Sequence, residues 1–395
     1  MKQRNKKLIV LGNGTAGCIS VSILKKEFPK ADISLFFSPQ KPAQSVGEGS
    51  ALSFPRMLKS HLQWDYDAIE DLEYTNKIGI LKKNWGKGND FFHPFPIGSS
   101  GLHFNANKFQ EKVLNNISSQ VNIQEKHIKS HSDLDCDHII DCSGTPNDFT
   151  DFYQIPYIPV NAAHIVQCNW IKPEFNYTLT IARPYGWVFG IPLQNRCSIG
   201  YLYNKEINTL DEVKEDINNI FKEYNLSPSK NINSLKFNNY YRKINHEGRV
   251  SYNGNTSFFL EPLEATSITT IIRNQLGTNN IIKGNWDNYK ANTVYNANID
   301  GIMYMIMVHY LAGSKFNTQF WKEAKNKAKN FFKNNFSYDF LTMYKLSKEY
   351  YKNNQILDPN SLHSGGDLGT WHIESWNYNL KELNVYNKLD KLLNI

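Results

Sequence analysis

The chain has 395 residues, of which 41% are hydrophobic and 21% are charged, so it is long enough for one large domain or two closely packed ones. Its 44 Lys and Arg residues against 37 Asp and Glu residues give a net charge of +7, a mild excess for this length, and there is no sustained basic run. This composition argues against a nucleic-acid partner. Because no apolar run reaches about 18 residues, it also argues against a membrane span.

Cysteine and histidine usage indicates the expected compartment and chemistry. The five cysteines are odd in number and form no C-x-x-C pair, which favours reduced thiols in a cytoplasmic protein. The eleven histidines show no metal-ligand spacing, so we predict no metal site. The basic residues before the first apolar run resemble a signal peptide. Gly12 and Gly14 interrupt that run, however, and a first strand explains it better.

The first predicted unit is a strand over 7–11, an amphipathic helix and a second strand over 33–37. Gly12, Gly14 and Gly17 form a G-x-G-x-x-G motif between the strand and the helix. Gly12 would permit the tight turn, Gly14 the approach of a pyrophosphate, and Gly17 the packing of the helix on the strand. The N-terminus of the helix then offers free N–H groups to the phosphates. The motif in this context predicts a Rossmann-type dinucleotide site.

The end of the second predicted strand lacks the acid that usually holds the ribose hydroxyls, because Phe36-Phe37-Ser38 stands there. This weakens a simple NAD dehydrogenase interpretation. A later predicted strand over 137–144 ends in Asp141-Cys142-Ser143-Gly144, and in two-part FAD folds a later strand with an acid and a glycine returns to the cofactor. The separation of the two segments predicts a doubly wound sheet with a long insertion.

The remaining chain changes from predicted strands to predicted helices. Alternating apolar and polar residues over 178–203 predict a β-hairpin. Thr209 and Glu212 form a capping box, which predicts a helix to about residue 224. From Trp286 onward the pattern is mostly helical.

Two candidate reactive side chains lie between residues 76 and 95. Alternation places Lys77 on one strand face with Gly79 and Leu81. Such a lysine either snorkels at a sheet edge or is held inside for its amine, and the pattern alone favours snorkelling. His93 lies in a Phe-Phe-His-Pro-Phe string and could be a ligand or a base, although the string alone favours a packed member of an aromatic cluster.

The segment 259–268 brings two carboxylates and two hydroxyl residues together before an apolar helical run. Glu261 and Glu264 flank Pro262, and a helix is predicted to begin near Thr266. The N–H groups and the positive dipole end of that helix would suit an anion. An ordinary helix cap explains the same residues, and the string alone favours the cap.

Taken together, these strings resemble the flavin-dependent tryptophan halogenase family. Residues 187–192, Trp-Val-Phe-Gly-Ile-Pro, are similar to its Trp-x-Trp-x-Ile-Pro signature, with Phe189 in place of the second Trp. Residues 259–268 are similar to its Phe-hydrophobic-Glu-Pro-Leu-Glu-Ser-Thr-Gly-Ile segment. Residues 45–50 resemble its Val-Gly-Glu-Ala-Thr strap, and residues 76–85 resemble the segment with its catalytic lysine. The resemblance is collinear from residue 6 to about residue 280.

The resemblance implies an α/β fold of the two-part FAD monooxygenase type. It combines a Rossmann-type FAD domain with a β-sheet substrate region and a helical C-terminal region. The expected FAD-binding halogenase core is 1–285. Within it we expect the Rossmann unit at 6–60, the substrate and tunnel segment at 61–115, the FAD return strand at 120–150 and the mixed β region at 155–270. The expected helical region, 286–395, would cover the substrate site.

The resemblance also implies an enzyme that uses FADH2, O2 and a halide to halogenate an electron-rich aromatic such as an indole or a phenol. Hypohalous acid would reach the catalytic Lys77, which holds it by hydrogen bonding or as a haloamine, and Glu264 would polarise the oxidant or accept the arene proton. A separate flavin reductase would supply FADH2, and formation of a homo-oligomer stays open. The implied binding residues are Thr266 and Ser267 for halide, His93 and Phe95 for substrate, and Gly12, Gly14, Thr15, Ala16, Gly17, Ser38, Gly49, Ile128, Trp187, Leu260 and Ile268 for FAD.

Several departures from the family pattern refine these expectations. Ser267 stands where the family has Gly, which favours bromide or iodide over chloride as a hypothesis. The segment after Trp85 is short, so we expect a trimmed lid, an open site and a substrate other than tryptophan. An FAD-dependent aromatic hydroxylase is the main alternative. A non-catalytic flavin-binding paralogue is the second alternative, because Phe189 and Ser267 depart from the motifs.

Overall fold

The computed structural model describes residues 5–39, 47–88, 90–335, 337–353 and 368–394. Its strands are β1 (Lys7–Leu11), β2 (Asp32–Phe37), β3 (Gly47–Gly49), β4 (Thr75–Lys77), β5 (Gly79–Lys83), β6 (Phe91–Pro94), β7 (Gly101–Asn105), β8 (Asn122–Glu125), β9 (His138–Asp141), β10 (Phe152–Gln154), β11 (Ala162–Asn169), β12 (Thr178–Arg183), β13 (Gly186–Pro192), β14 (Arg196–Tyr203), β15 (Ser227–Lys236), β16 (Tyr240–Arg242), β17 (His246–Glu247), β18 (Val250–Tyr252) and β19 (Phe258–Phe259).

The helices are concentrated in the last third of the chain. They are α1 (Thr15–Glu27), α2 (Ser53–Met57), α3 (Ala106–Ile117), α4 (Leu210–Glu223), α5 (Ser267–Lys283), α6 (Asn288–Ala312), α7 (Gln319–Asn334), α8 (Tyr338–Lys352), α9 (Ile373–Glu382) and α10 (Tyr386–Leu393). A capping box between Thr209 and Glu212 begins α4, as predicted. None of these helices has the length and apolar character that a membrane crossing needs.

A six-stranded sheet in the order β17-β18-β9-β1-β2-β8 forms the first layer. β1 lies between β2 and β9 and is parallel to both, with Leu8 opposite Ile33 on one side and His138 on the other. The predicted first unit and the predicted return strand therefore meet in one sheet, although residues 38–137 of the chain separate them. This confirms the α/β fold class with a Rossmann-type unit.

A seven-stranded sheet in the order β15-β11-β14-β13-β12-β5-β6 forms the second layer. The hairpin predicted within 178–203 is confirmed, because β13 and β14 pair antiparallel around the turn at 193–195, and β12 adds a third antiparallel strand beside β13. β5 is parallel to β12 and antiparallel to β6, which brings the segment around Lys82 and His93 onto the same sheet.

The segment 76–85 is not one alternating strand. It is divided at Ile78 between β4, which belongs to the small sheet β3-β7-β4, and β5 of the large sheet. Ile78 is 39% exposed, whereas Lys77 and Lys82 are buried on either side of it. The predicted face shared by Lys77, Gly79 and Leu81 is therefore wrong, because the break changes which residues point inward.

The largest hydrophobic core joins the second sheet to the C-terminal helices. Its members come from both sides of the expected boundary at 285/286, with Trp85 and Trp187 packed in the same cluster as Tyr310 and Trp376. Most of α6 from Asn298 to Ala312 is buried, as expected for a helix surrounded by other elements. The helical region is thus part of the wall around the candidate site.

Candidate active site

Lys77 ends β4 and is 1% exposed, so the snorkelling interpretation is wrong. Its Nζ lies 5.5 Å from the centroid of the Phe95 ring. Burial lowers the pKa of Lys77 to about 8, although Glu264 raises it and Lys82 lowers it further. A substantial fraction of this amine is therefore neutral near pH 8.

Lys82 is a second fully buried amine, which the sequence analysis did not single out. It forms an ion pair with Glu264 and donates a hydrogen bond to Oδ1 of Asn379 on α9. His309 on α6 places its Nε2 3.3 Å from Oε1 of Glu264. The same histidine donates from Nδ1 to the Met305 carbonyl oxygen at 2.8 Å, because a carbonyl can only accept. Glu264 is thus enclosed by two basic side chains from separate elements.

The carboxylate of Glu264 is stabilised in its ionised form by these neighbours. Burial alone would raise its pKa, but Lys82, His309 and His93 outweigh that effect and hold the pKa well below its ordinary value. In the same cluster, burial and Lys82 lower the pKa of His309, and burial lowers that of Lys82.

The backbone around Glu264 is strained. Glu264 has φ 71° and Ala265 has φ 53°, so two consecutive non-glycine residues occupy the left-handed region. Each such residue costs on the order of 1–3 kcal/mol, and such strain is concentrated at functional sites. The turn directs Glu264 toward Lys82 and begins α5 immediately afterward.

The N-terminus of α5 has no side-chain cap among the described residues. Thr266 occupies the cap position and is 3% exposed, while Ser267 is half-buried at the first helical position. The expectation of an ordinary Thr or Ser cap is therefore wrong. Uncapped N–H groups next to the Glu264 turn remain available to an anion.

His93 lies beneath α9, and Phe95 is buried two residues further along the chain. His93 is fully buried, its Nε2 lies 3.0 Å from Oγ of Ser375, and its ring stacks on Tyr378 at 5.5 Å between centroids. Phe95 is 6% exposed. The expectation of an open site is wrong for these two residues, because both are buried and the C-terminal helix α9 covers His93.

Trp187 connects the aromatic motif to the first glutamate of the Glu-Pro-Leu-Glu segment. Its Nε1 donates to Oε2 of Glu261 at 3.3 Å, and the Tyr310 hydroxyl donates to the same oxygen at 2.7 Å. Burial raises the pKa of Glu261 to about 8, although both donors oppose the shift. Trp85 packs against Trp187 and, edge to face, against His309, so it connects the surroundings of Glu261 with those of Glu264.

The glycine-rich turn between β1 and α1 has the close approaches that only glycine permits. Gly12 has φ 98°, and a Cβ added there would lie 2.3 Å from the Cys142 carbonyl oxygen. A Cβ added at Gly17 would lie 1.9 Å from the Gly12 carbonyl oxygen. Gly14 caps α1 without a side-chain hydrogen bond, and Thr15 and Ala16 form its first turn. The turn therefore leaves backbone N–H groups open for phosphate.

The hydroxyl of Ser38, which follows β2, shows whether a dinucleotide fits at this edge of the sheet. Its Oγ is buried and has no hydrogen-bond partner among the described residues. A ribose hydroxyl would supply one, in the position where the usual acid is missing. Ile128, after β8, packs on the same edge against the cluster of Phe36 and Ile139. The donor set fits a dinucleotide such as FAD.

The remaining candidate FAD residues are distributed around the two layers. Gly49 on β3 lies beside the Glu264 turn, since a Cβ there would come within 3.9 Å of the Ala265 Cβ. Ser45 and Val46 of the strap lie outside the described residues. Leu260 belongs to the core shared with the helical region, and Ile268 belongs to the core of the first sheet.

The Asp141 carboxylate makes its hydrogen bonds to nearby residues of the same chain segment. Its carboxylate accepts from the Ser143 N–H at 2.9 Å and lies 2.9 Å from Nε2 of His131, while Cys142 N–H donates to the Leu11 carbonyl oxygen. The return strand thus lies beside the glycine-rich turn.

Sequence reasoning missed Lys82, His309 and Asn379. The signal for Lys82 was available, because it is a second lysine in a segment otherwise rich in apolar residues, but the assumed alternation concealed it. His309 and Asn379 had no such signal. They reach the site only because α6 and α9 pack on the second sheet.

Comparisons with known proteins identify the fold and the family. The chain matches the sequence model of the tryptophan halogenase family over residues 7–122 and 99–338. It is 26% identical to tryptophan 6-halogenase SttH of Streptomyces toxytricini over 234 residues, which cover 51% of this chain and 40% of the relative. It is 23% identical to tryptophan 7-halogenase RebH of Lentzea aerocolonigenes over 367 residues, which cover 68% of each. The match to SttH thus spans less than half of that relative's length.

A solved tryptophan halogenase structure from Shewanella frigidimarina has the same fold. It superposes with a TM-score of 0.78 at 18% identity and covers all of this chain and 94% of the other.

Proposed function

The chain belongs to the tryptophan halogenase family, and from this premise we propose that it halogenates an electron-rich aromatic substrate, with Lys77 carrying the halogen. The observation that supports this most is the burial of the Lys77 amine in a cluster with Glu264, beside Phe95. A hydroxylase has no need of a confined amine, and a non-catalytic paralogue has no need of the strained turn at Glu264.

FAD would bind at the edge of the first sheet. Gly12, Gly14 and Gly17 would bring the backbone to the pyrophosphate, and Ser38 would meet a ribose hydroxyl. The other proposed FAD contacts are Thr15, Ala16, Gly49, Ile128, Trp187, Leu260 and Ile268. When FAD is bound as FADH2, its chemistry with O2 and a proton would oxidise a halide ion, which yields hypohalous acid, water and FAD. A separate flavin reductase would provide the FADH2.

Lys77 performs the halogen transfer in this proposal. Its neutral amine takes the halogen from hypohalous acid and releases water, and the aromatic carbon then takes the halogen and loses a proton. Only the neutral amine has the lone pair that this step needs, and burial provides it by lowering the pKa to about 8. Glu264 polarises the oxidant or accepts the released proton, and its ion pair with Lys82 holds it in place.

The halide and the substrate would bind at separate groups of residues around this cluster. The uncapped N-terminus of α5 at Thr266 and Ser267 would bind the halide, for which we propose bromide or iodide. The buried side chains of His93, under α9, and of Phe95 would contact a flat arene such as an indole or a phenol.

A product screen tests this function. Purified protein would be incubated with FAD, a flavin reductase, NADH, O2 and panels of indoles and phenols, with chloride, bromide or iodide in separate reactions. We expect a halogen mass shift, largest with bromide or iodide. A shift of one oxygen would identify a hydroxylase, and oxidation of neither halide nor substrate would favour the non-catalytic paralogue.

Gly17→Ala is expected to weaken FAD binding and lower Tm, because its Cβ would collide with the Gly12 carbonyl oxygen. Relief requires the helix to move off the strand, so we expect at least a tenfold loss in FAD affinity by fluorescence titration, which is about 1.4 kcal/mol. Gly277→Ala is the matched control, since Gly277 lies within α5 with only ordinary contacts at its added Cβ. Equal FAD affinity in the two variants would contradict the proposed FAD position.

A further inference from the structure

The site contains two buried lysines, Lys77 and Lys82, at 1% and 0% exposure. A buried amine without a counter-ion tends to lose its proton, whereas one with a close carboxylate tends to keep it. Glu264 can form a close ion pair with only one of these two lysines. The lysine without that ion pair is the one whose amine loses its proton more readily and becomes reactive.

In the structure, the ion-pair partner of Glu264 is Lys82. Lys82 forms the ion pair with Glu264, donates to Asn379 and lies 5.5 Å from the centroid of the Phe91 ring. These contacts come from the Glu264 turn, α9 and β6, so the ammonium group is held on three sides.

The Lys77 amine, in the same cluster, differs from that of Lys82 in its polar contacts. Within the part of the chain that the structure describes, it has neither an ion pair nor a hydrogen bond from its amine, and its close neighbour is the Phe95 ring. The titratable groups on the surrounding elements are Lys82 (β5), Glu264 (the turn before α5), His103 (β7), His93 (β6), His309 (α6) and Glu48 (β3).

The histidine nearest to Lys77 along the sheet stays neutral. Thr75 donates its hydroxyl to the Pro192 carbonyl oxygen at 2.7 Å, so it accepts from Nδ1 of His103, and Nε2 of His103 then accepts from Thr178 at 2.9 Å. Burial and the charge of Lys77 hold the pKa of His103 well below its ordinary value. It therefore supplies no charge to Lys77.

We propose that Lys82 is a positioning residue for the proposed halogenation: by taking Glu264 as its counter-ion, it keeps the Lys77 amine uncompensated and available to accept a halogen. The inference rests on the proposed function for its chemistry, although the arrangement of charges does not. Lys82 fixes the carboxylate of Glu264 and adds a positive charge beside Lys77. Both effects favour the neutral form of Lys77 and agree with its lowered pKa.

Removing the Lys82 ammonium group should make Glu264 the counter-ion of Lys77. In Lys82→Met, the remaining carboxylate would stabilise protonated Lys77, so its titration midpoint should move upward by about one pH unit or more. The neutral fraction of Lys77 at about pH 7 would then fall roughly tenfold. Halogenation at about pH 7 would fall in the same proportion and recover as the pH is raised above the new midpoint.

The test is an NMR titration of the full chain with 13Cε-labelled lysine, in which the Lys77 signal is assigned by its loss in Lys77→Met. It needs no flavin, halide or substrate, so it reports on Lys82 even if no halogenation is found. We expect the Lys77 midpoint to rise in Lys82→Met and to stay low in Lys82→Arg, which restores the cation. Lys83→Met is the matched control, because Lys83 pairs with Glu223 at the surface and should leave the midpoint unchanged.

Glu264→Gln supplies an independent measurement if Lys82→Met does not fold. Because Glu264 raises the pKa of Lys77, its neutralisation should lower the Lys77 midpoint, opposite in sign to the Lys82 effect. An unchanged midpoint in Lys82→Met, or no fall in Glu264→Gln, would overturn the proposal. A normal titration pattern combined with no halogen product would instead overturn the proposed function alone.

Discussion

Lys77→Met is expected to abolish aromatic halogenation while halide oxidation continues. Methionine keeps the buried apolar stem but removes the amine that takes the halogen. Positioned groups of this kind contribute on the order of 10²–10⁴-fold to rate, and we expect product formation to fall at least into that range. Hypohalous acid would then leave the site, so a soluble halogen trap should record about as much oxidant as the wild type converts to product.

Lys83→Met is the control for this experiment, because Lys83 lies on β5 close to the site in sequence but points to the surface. It should retain full product formation. If Lys77→Met kept wild-type product formation, the amine would not carry the halogen. If it lost halide oxidation as well, Lys77 would act on the flavin reaction instead.

Glu264→Ala is expected to cause the largest loss of stability among single changes in this cluster. The Lys82 side chain is 0% exposed and that of Glu264 is 1% exposed, so removing the carboxylate leaves a buried ammonium without its counter-ion. Breaking one partner of a buried pair typically costs about 3–5 kcal/mol. We expect urea unfolding to show a decrease of that size in the free energy of unfolding.

The double variant Glu264→Ala, Lys82→Met should recover most of that loss, because it removes both charges and leaves an apolar side chain. A double-mutant cycle measures this recovery as a coupling free energy. The matched cycle on Lys83 and Glu223, which are 24% and 40% exposed, should give about 0–1 kcal/mol. A coupling for the buried pair as small as for the surface pair would contradict the ion pair.

The parts of the molecule that could be predicted from the sequence depend on local backbone chemistry. Gly12 and Gly17 indicate a turn that tolerates no side chain, and the structure gives the close approaches that require it. The capping box at Thr209 likewise begins its helix where predicted. In each case, residues a few positions apart determine the geometry.

The site itself depends on contacts between distant segments. Lys82, Glu264, His309 and Asn379 come from four elements spread over almost 300 residues, so no spacing in the sequence relates them. The break at Ile78 also reverses the inward face of the chain between Lys77 and Lys82, which periodicity could not anticipate. The cover over His93 by α9 was missed for the same reason, since only tertiary packing brings Ser375 and Tyr378 there.

Product formation by the wild type in the presence of a soluble hypobromite scavenger tests the relay through Lys77 most directly. The reaction would contain bromide, FAD, a flavin reductase, NADH, O2 and an accepted indole or phenol, with the scavenger in excess over substrate. We predict an unchanged yield of brominated product, because the halogen passes through the buried amine and does not enter the solvent. A yield that falls in proportion to the scavenger would mean that free hypobromite brominates the substrate in solution, and this would contradict the account.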